Sequence, residues 1–339
     1  MTNQIDTDAK ELIQTKYGYG QQHIISLNDG TLYAVHINDS DNIEIHTSDD
    51  NGSTWILNET FIVDYPYYLC LTKSENDDIF LSYVEKNSSP YNIKIKRLKS
   101  GSGEDWTEIF SYSESTESTN EYRPTALITY NRAINRLHVF WTDNDSGNII
   151  KNQYSTDDGD NWSSVNNYNE GTSGNYTMKL FGIDTHPSTG YVYLYHQVLS
   201  LFDPRTEIFD ENGTRIGYEA DQSSYDSHGG TLVIDSNGDR WQIFIADGNK
   251  LYVIKNDESL SKKWDGDIYD GMITAGIDGN DYLYIFFTAE TDDKCYLYKK
   301  TYTWGSIPLA FTNNDGLRPS CEQHSRANSD KLNVVFFTN

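Results

Sequence analysis

The chain has 339 residues, a formal net charge of −25 and only three cysteines. So acidic a chain argues against nucleic acid or an anionic membrane as a general partner, because phosphate binding needs clustered lysine and arginine. The odd cysteine count argues against a disulfide framework, while 26 tyrosines and many short polar residues are typical of a β-rich protein with polar turns.

The N-terminal sequence Met1-Thr2-Asn3-Gln4 lacks the basic and apolar regions of a secretory signal. No stretch of the chain is long and apolar enough to predict a membrane span, so we expect no membrane insertion. These features predict synthesis in the cytoplasm without classical secretion.

A segment with alternating apolar residues, preceded by a turn, recurs seven times along the chain. Its apolar anchor positions are Tyr33, Phe80, Leu137, Val192, Trp241, Leu283 and Leu332, which are spaced by 42 to 57 residues. A repeat of roughly 40–50 residues with four short strands is typical of a β-propeller blade. Five tryptophans confirm the period, because Trp55, Trp106, Trp162, Trp264 and Trp304 each follow an anchor by 21 to 26 residues.

We therefore predict a single all-β domain over residues 1–339, a propeller of four-stranded antiparallel blades. Seven blades are preferred and six are the alternative. The seventh unit stops after its second strand at Asn339, so the N-terminal segment 1–17 is expected to close the ring. In the fourth unit the polar residues 202–221 replace the tryptophan turn, which predicts an inserted loop that is either ligand-facing or a tolerated surface insertion.

Two eight-residue segments share the pattern Ser-x-Asp-x-Gly-x-x-Trp. Their defining residues are Ser48, Asp50, Gly52 and Trp55 in the first copy, and Ser155, Asp157, Gly159 and Trp162 in the second. The aspartate suits an Asx-type turn, the glycine allows a positive φ, and the tryptophan is large enough to hold the turn against a sheet. The pattern resembles the Asp-box of sialidase-like (BNR repeat) β-propellers, where it is structural rather than catalytic.

The resemblance implies a superfamily of sialidases, polysaccharide lyases and non-catalytic binding proteins. Sialidases of this group carry an Arg-Ile-Pro motif and an arginine triad. This chain instead has Arg-Pro twice, at Arg123 and Arg318, with no Arg-Ile-Pro and no third arginine in register. Sialidase activity is therefore not favoured by the pattern.

Aligning the repeats places several polar residues where inner strands begin, at one mouth of the central channel. Tyr65, Arg123 and Arg318 each precede a proline, and His228 is in register with them; Tyr67, Asp226 and Asp270 lie nearby in the alignment. The two arginines suit a carboxylate ligand. For catalysis, Arg123 is a candidate for the neutralising cation that a lyase needs, His228 for the base and Tyr65 for an acid or base. The alternatives are that each arginine pairs with an acidic neighbour and that His228 is a non-catalytic histidine.

No His-x-x-x-His or Cys-x-x-Cys spacing occurs, so neither a metal nor a cofactor is predicted. Two functions remain open. The first is non-catalytic recognition of a carbohydrate that bears a carboxylate, on a virion or another extracellular particle. The second is cleavage of a glycan at the channel mouth by a lyase or a glycoside hydrolase. A role in assembly with protein partners is a third, weaker option.

Overall fold

The fold is known from a computed structural model of the chain. It describes residues 22–86, 90–103, 105–114, 124–143, 149–169, 178–198, 203–219, 227–256, 261–290, 292, 294–300, 309–310, 318–324 and 332–337. These residues form an all-β structure of six four-stranded antiparallel sheets and one two-stranded sheet. Within the same ranges there is no helix with the length and hydropathy of a membrane span.

The six four-stranded sheets are the blades of a propeller, and each uses four consecutive strands. The strands of blades 1 to 3 are β1 (Ile24–Ser26), β2 (Leu32–Ile37), β3 (Ile43–Ser48), β4 (Ile56–Phe61), β5 (Pro66–Lys73), β6 (Ile79–Lys86), β7 (Tyr91–Leu98), β8 (Trp106–Glu114), β9 (Ala126–Asn131), β10 (Arg136–Asp143), β11 (Ile149–Ser155) and β12 (Asn166–Asn169). Those of blades 4 to 6 are β13 (Met178–Thr185), β14 (Val192–Val198), β15 (Asp203–Phe209), β16 (Arg215–Glu219), β17 (Ser227–Ile234), β18 (Arg240–Ala246), β19 (Lys250–Lys255), β20 (Ser261–Trp264), β21 (Ile268–Ile277), β22 (Leu283–Ala289), β23 (Cys295–Lys300) and β24 (Leu309–Ala310).

A two-stranded sheet of β25 (Arg318–Cys321) and β26 (Val334–Phe337) stands between blade 6 and blade 1. Its β25 contacts both β21 and β1. Two side-chain hydrogen bonds reinforce the second contact: the His23 N–H donates to Ser320 Oγ at 3.1 Å, and Ser26 Oγ donates to Glu322 Oε2 at 2.6 Å. The two-stranded sheet therefore links the last blade to the first.

The preference for seven four-stranded blades is wrong, because the structure has six. An anchor segment occurs in the two-stranded unit as well as in each complete blade. The number of anchor segments therefore overestimates the number of four-stranded blades. The proposed closing segment, residues 1–17, lies outside the described residues.

The inserted loop expected at residues 202–221 is also wrong, since Asp203–Phe209 and Arg215–Glu219 are the outer two strands of blade 4. The turn between them is held by Asp210, whose Oδ1 accepts the N–H groups of Asn212 and Thr214. The segment looks like a loop in sequence because an outermost strand faces water, and Tyr218 is 58% exposed there.

The core lies between successive blades, where alternating residues of the strands meet. Leu71 and Leu81 of blade 2 pack against Ile45 of blade 1, and all three are fully buried. Burial of each such side chain contributes about 1.5–3 kcal/mol. The three cysteines, Cys70, Cys295 and Cys321, are buried free thiols, in agreement with the expectation of no disulfide framework.

Candidate functional site

The two eight-residue turns have the same hydrogen-bonded structure. In the first, Asp50 Oδ1 accepts from Ser48 Oγ and from the Thr54 N–H, both at 2.8 Å. The Gly52 N–H donates to Ser48 Oγ at 2.9 Å. These bonds hold the pKa of Asp50 below its usual value, the Thr54 backbone bond most of all.

The second turn repeats these bonds with Asp157, Ser155 and Asn161. Its tryptophan reaches the preceding blade, because Trp162 Nε1 donates to the Ile109 carbonyl at 2.9 Å. Gly159 has φ of +95°, and a Cβ there would lie 2.3 Å from Ile109 Cδ1. The turns join the third and fourth strands of blades 1 and 3, and therefore have a structural role at the blade ends.

Two of the residues predicted at the mouth where inner strands begin have described side chains. Tyr65 directly precedes β5, has φ of +46° and is 53% exposed. Tyr67 is buried and packs edge-on against Tyr68 and Tyr91, with ring centroids 5.2 and 6.1 Å apart. Tyr67 is thus a core residue rather than part of an open mouth, whereas Tyr65 is accessible to a ligand.

The remaining predicted residues stay predictions. Arg123 and Asp226 lie outside the described residues. His228, Asp270 and Arg318 belong to β17, β21 and β25, near the beginnings of these strands, but only their backbone is described. The described residues therefore do not test the proposed arginine pair or the proposed base.

A cavity of about 430 Å³ opens at the opposite mouth, where the inner strands end. Its lining comes from the last residues of these strands and the turns after them, in every blade and in the segment after β25. Four aspartates contribute to it: Asp184, Asp235, Asp278 and Asp281. We call this cavity the C-terminal mouth.

Asp184 is the best connected carboxylate of the C-terminal mouth. Its Oδ2 accepts the Ile234 N–H at 2.7 Å and lies 2.9 Å from His324 Nε2. The neighbouring Gln323 donates from Nε2 to the carbonyls of Ile183 and Leu232, at 2.7 and 2.9 Å. The segment after β25 is thereby tied to blades 4 and 5, which fixes one wall of the cavity.

The other aspartates are held by turns that follow the inner strands. Asp235 Oδ1 accepts the N–H groups of Asn237 and Asp239, and Asp278 Oδ1 accepts those of Asn280 and Tyr282. Burial raises the pKa of Asp235, although its hydrogen bonds oppose the shift. Asp281 accepts from the backbone and hydroxyl of Ser236, so the rim of the cavity at blades 5 and 6 is polar and hydrogen-bonded.

Sequence reasoning missed this mouth because it aligned only the beginnings of the inner strands. The signal was present: Asp-x-Asn-Gly-Asp at 235–239 and Asp-Gly-Asn-Asp at 278–281 fall directly after two inner strands. Such Asx-type turns repeat with the blades. Each turn alone predicts only a turn, but their shared position in the repeat gathers their aspartates at one mouth.

Blade 1 contains a second polar cluster, His36, Glu44 and His46, all buried. Their ligand atoms lie within 4.8 Å of one another, close enough for the three side chains to bind one metal ion. The sequence search for helical His-x-x-x-His spacing could not find it, because two strands of a hairpin bring the three residues together.

No protein-family model and no curated protein matches the chain. Solved structures do. A Hadza microbial sialidase has 11% identity and a TM-score of 0.50 over 82% of this chain and 68% of its own. The fucose-specific lectin from Aleuria aurantia has 14% identity and a TM-score of 0.51 over 85% and 95%. The SapL1 lectin, solved with alpha methyl fucoside, has 9% identity and a TM-score of 0.52 over 89% and 99%.

At such low identities the likeness shows the fold alone. The chain is a six-bladed β-propeller, and the Aleuria aurantia lectin is also described as six-bladed.

Proposed function

We propose that this propeller binds a neutral glycan at the C-terminal mouth without cleaving it. The observation that carries the proposal is the 430 Å³ cavity, whose rim presents carboxylate, hydroxyl and amide groups fixed by turns. Sugar hydroxyls donate well to carboxylates, and such bonds to a charged acceptor are stronger than neutral ones. The volume falls within the usual range for small-molecule sites. Two of the similar structures are lectins, one of them fucose-specific and the other solved with a fucoside.

The charge of this mouth favours a neutral sugar over an acidic one. Four aspartates line it, against two cationic residues, Lys73 and Arg132. Both cations are committed elsewhere: Lys73 Nζ lies 2.8 Å from Asp77, and Arg132 Nε lies 3.3 Å from Glu75. A carboxylate-bearing sugar would meet like charges here. Such a sugar remains our prediction only for the other mouth, through Arg123 and Arg318.

Glycan binding by an acidic domain of this kind would serve surface recognition, on a virion or on another extracellular particle. The role needs no catalytic group and no cofactor. It also agrees with the net charge of −25, which disfavours nucleic acid.

The test is to titrate the purified protein calorimetrically with alpha methyl fucoside, other neutral glycosides and sialic acid. Ser236→Trp places a large side chain on the cavity rim, where Ser236 is exposed. The matched control is Ser164→Trp, an exposed residue after the second eight-residue turn. We expect a neutral glycoside to bind the wild type and the control, with at least about tenfold loss in Ser236→Trp. Equal binding by both variants, or binding of sialic acid alone, would refute this assignment.

A glycan-cleaving activity is the second candidate, and the His324–Asp184 contact is what favours it. A carboxylate that orients an imidazole is the arrangement of a general base, and His324 is about one-third exposed in the mouth. Incubation with uronic-acid and sialylated glycans, followed by product absorbance and reducing ends, tests this. Turnover by the wild type that is lost in His324→Asn would refute binding without cleavage. Binding by the wild type without turnover would refute the glycan-cleaving activity.

A further inference from the structure

The buried cluster in blade 1 is built by the register of one hairpin. His36 of β2 pairs directly with Glu44 of β3, and His46 lies two residues further along β3, opposite Ala34. Since side chains two residues apart point to the same face of a strand, all three groups share one face. The hairpin therefore gathers two imidazoles and a carboxylate without help from a distant part of the chain.

The three ligand atoms lie within 4.8 Å of one another. Glu44 Oε2 lies 3.5 Å from His36 Nε2 and 3.5 Å from His46 Nε2. The imidazole rings are stacked, with centroids 5.0 Å apart and planes inclined by 25°. One carboxylate oxygen is thus equidistant from two nitrogens.

These distances fit a shared metal ion better than direct ion pairs. Charge-assisted hydrogen bonds between nitrogen and carboxylate oxygen measure about 2.7–2.9 Å, well below both 3.5 Å separations. Four ligands placed tetrahedrally at about 2.0–2.1 Å from zinc lie about 3.3–3.4 Å from one another. Both nitrogen–oxygen separations are therefore within a few tenths of an ångström of the ligand–ligand distances in a zinc site.

The surroundings also suit a cation. Asn38 Nδ2 donates to the other carboxylate oxygen, Glu44 Oε1, at 2.6 Å. That bond leaves Oε2 directed at the imidazoles, which is the role of an outer residue that orients a ligand. All three side chains are at most 11% exposed, so a bound ion would be shielded from bulk water.

We propose that His36, Glu44 and His46 bind a divalent transition-metal ion, with Zn²⁺ as the best fit. Two neutral imidazoles and one carboxylate are a ligand set that zinc accepts. Three protein ligands leave a fourth position for water or for a small anionic ligand. The ion links β2 to β3 on the face that blade 1 turns away from blade 2, since Val35 and Ile45 occupy the face toward blade 2.

The experiment uses the full chain, stripped with a chelator and dialysed, then titrated with ZnCl₂ against a chromophoric competitor. We expect one equivalent to bind and the melting temperature to rise, since a ligand of the folded state stabilises it. His46→Asn and Glu44→Gln should each weaken binding at least about 100-fold, because even changes to outer residues cost 10–100-fold. The control, His186→Asn, removes a histidine outside the cluster and should bind as the wild type does.

X-ray absorption of the zinc-loaded wild type keeps the proposal testable if a variant fails to fold. We expect about two imidazoles and one or two oxygens at about 2.0–2.1 Å. Absence of stoichiometric zinc binding, a spectrum without imidazole ligands, or unchanged affinity in folded His46→Asn would overturn the proposal.

Discussion

Blades 1 and 4 differ from the other four blades at one buried position. On the face toward the preceding unit, the second strands place Tyr83, Trp141, Phe244 or Phe287 there in blades 2, 3, 5 and 6, but His36 in blade 1 and His196 in blade 4. All six side chains are buried. The same place in the fold therefore holds the ring of a Tyr, Trp or Phe four times and an imidazole twice.

The two histidine blades accommodate a buried carboxylate differently. In blade 4, Glu207 lies diagonally across from His196, and Arg215 Nε donates to Glu207 Oε2 at 2.6 Å. Burial alone would raise the pKa of Glu207, yet the contacts with His196 and Arg215 hold it below its usual value. In blade 1 the buried carboxylate is Glu44, which pairs directly with His36 and faces two imidazoles. Blade 4 thus uses a guanidinium where we propose a metal ion in blade 1.

The largest expected effect comes from removing the guanidinium of blade 4. Arg215→Met leaves the charge of Glu207 buried beside a neutral side chain, because Glu207 is 1% exposed. Breaking a buried pair from one side costs about 3–5 kcal/mol, and the partial exposure of Arg215 favours the lower value. Urea unfolding at pH 7 should therefore show a loss of about 3 kcal/mol in the free energy of unfolding.

Arg132→Met is the control, since its pair with Glu75 is exposed and should be worth less than about 1 kcal/mol. Adding Glu207→Gln to Arg215→Met should recover part of the loss, because the buried charge is then gone. Equal losses in Arg215→Met and Arg132→Met would mean that blade 4 does not depend on its guanidinium, and the comparison with blade 1 would fail.

Blade 3 buries another histidine, His138, which has no carboxylate hydrogen-bonded to its ring among the described residues. Burial, and next the charge of Arg136, lower its pKa to about 3. Among the described residues neither ring nitrogen has a hydrogen-bond partner, and the ring instead lies between Phe140 and Tyr154. The unfolded chain takes up the proton near pH 6.5 whereas the folded chain does not, so stability is lost as the pH falls below 6.5.

His138→Phe should remove this part of the acid sensitivity. At pH 4.5 the contribution of one such histidine is about 2–3 kcal/mol, from about two pH units below its unfolded pKa. Unfolding by urea between pH 7 and 4.5 should show a shallower loss in the variant. His23, with its pKa lowered to about 4, should still contribute to the pH dependence of the variant. Parallel profiles of variant and wild type would contradict the assignment of a neutral His138.

The sequence predicted the class of fold because the repeat is written in local terms: alternating strands, turns with glycine, and tryptophans at fixed distances from the anchors. It mispredicted the outer strands of blade 4, because a solvent-facing strand such as Arg215–Glu219 has little apolar periodicity. The predicted number of complete blades was wrong for a related reason. An anchor indicates the second strand of a unit but does not indicate whether a third and a fourth strand follow.

The site was harder to predict because its residues are joined by register rather than by motif. Asp184 and His324 are 140 residues apart and meet only when the segment after β25 crosses to blade 4. The cluster of His36, Glu44 and His46 is local, but it requires the pairing of β2 with β3 to be known. A search organised by hairpin pairs instead of by helical spacing would have found the cluster, though not the cavity.

The smallest expected effect comes from the hydrogen bond between Asn38 and Glu44, which an ordinary turn of this kind lacks. Asn38 Oδ1 accepts the N–H groups two and four residues later, as Asp210 Oδ1 does in blade 4. Only Asn38 also donates to a buried carboxylate, Glu44. Both Asn38→Ala and Asp210→Ala lose the turn bonds, so their difference in unfolding free energy reports the bond to Glu44, which we expect to be about 1–2 kcal/mol.

Zinc binding distinguishes the same two variants in a second, independent way. Because Asn38 orients the carboxylate, Asn38→Ala should also weaken Zn²⁺ binding about 10–100-fold, whereas Asp210→Ala should leave it unchanged. The zinc-dependent rise in melting temperature should then shrink in the first variant alone. If the two variants lose the same stability and respond equally to zinc, Asn38 stabilises only its own turn. The bond from Asn38 to Glu44 would then neither stabilise the hairpin of blade 1 nor orient the carboxylate for a metal ion.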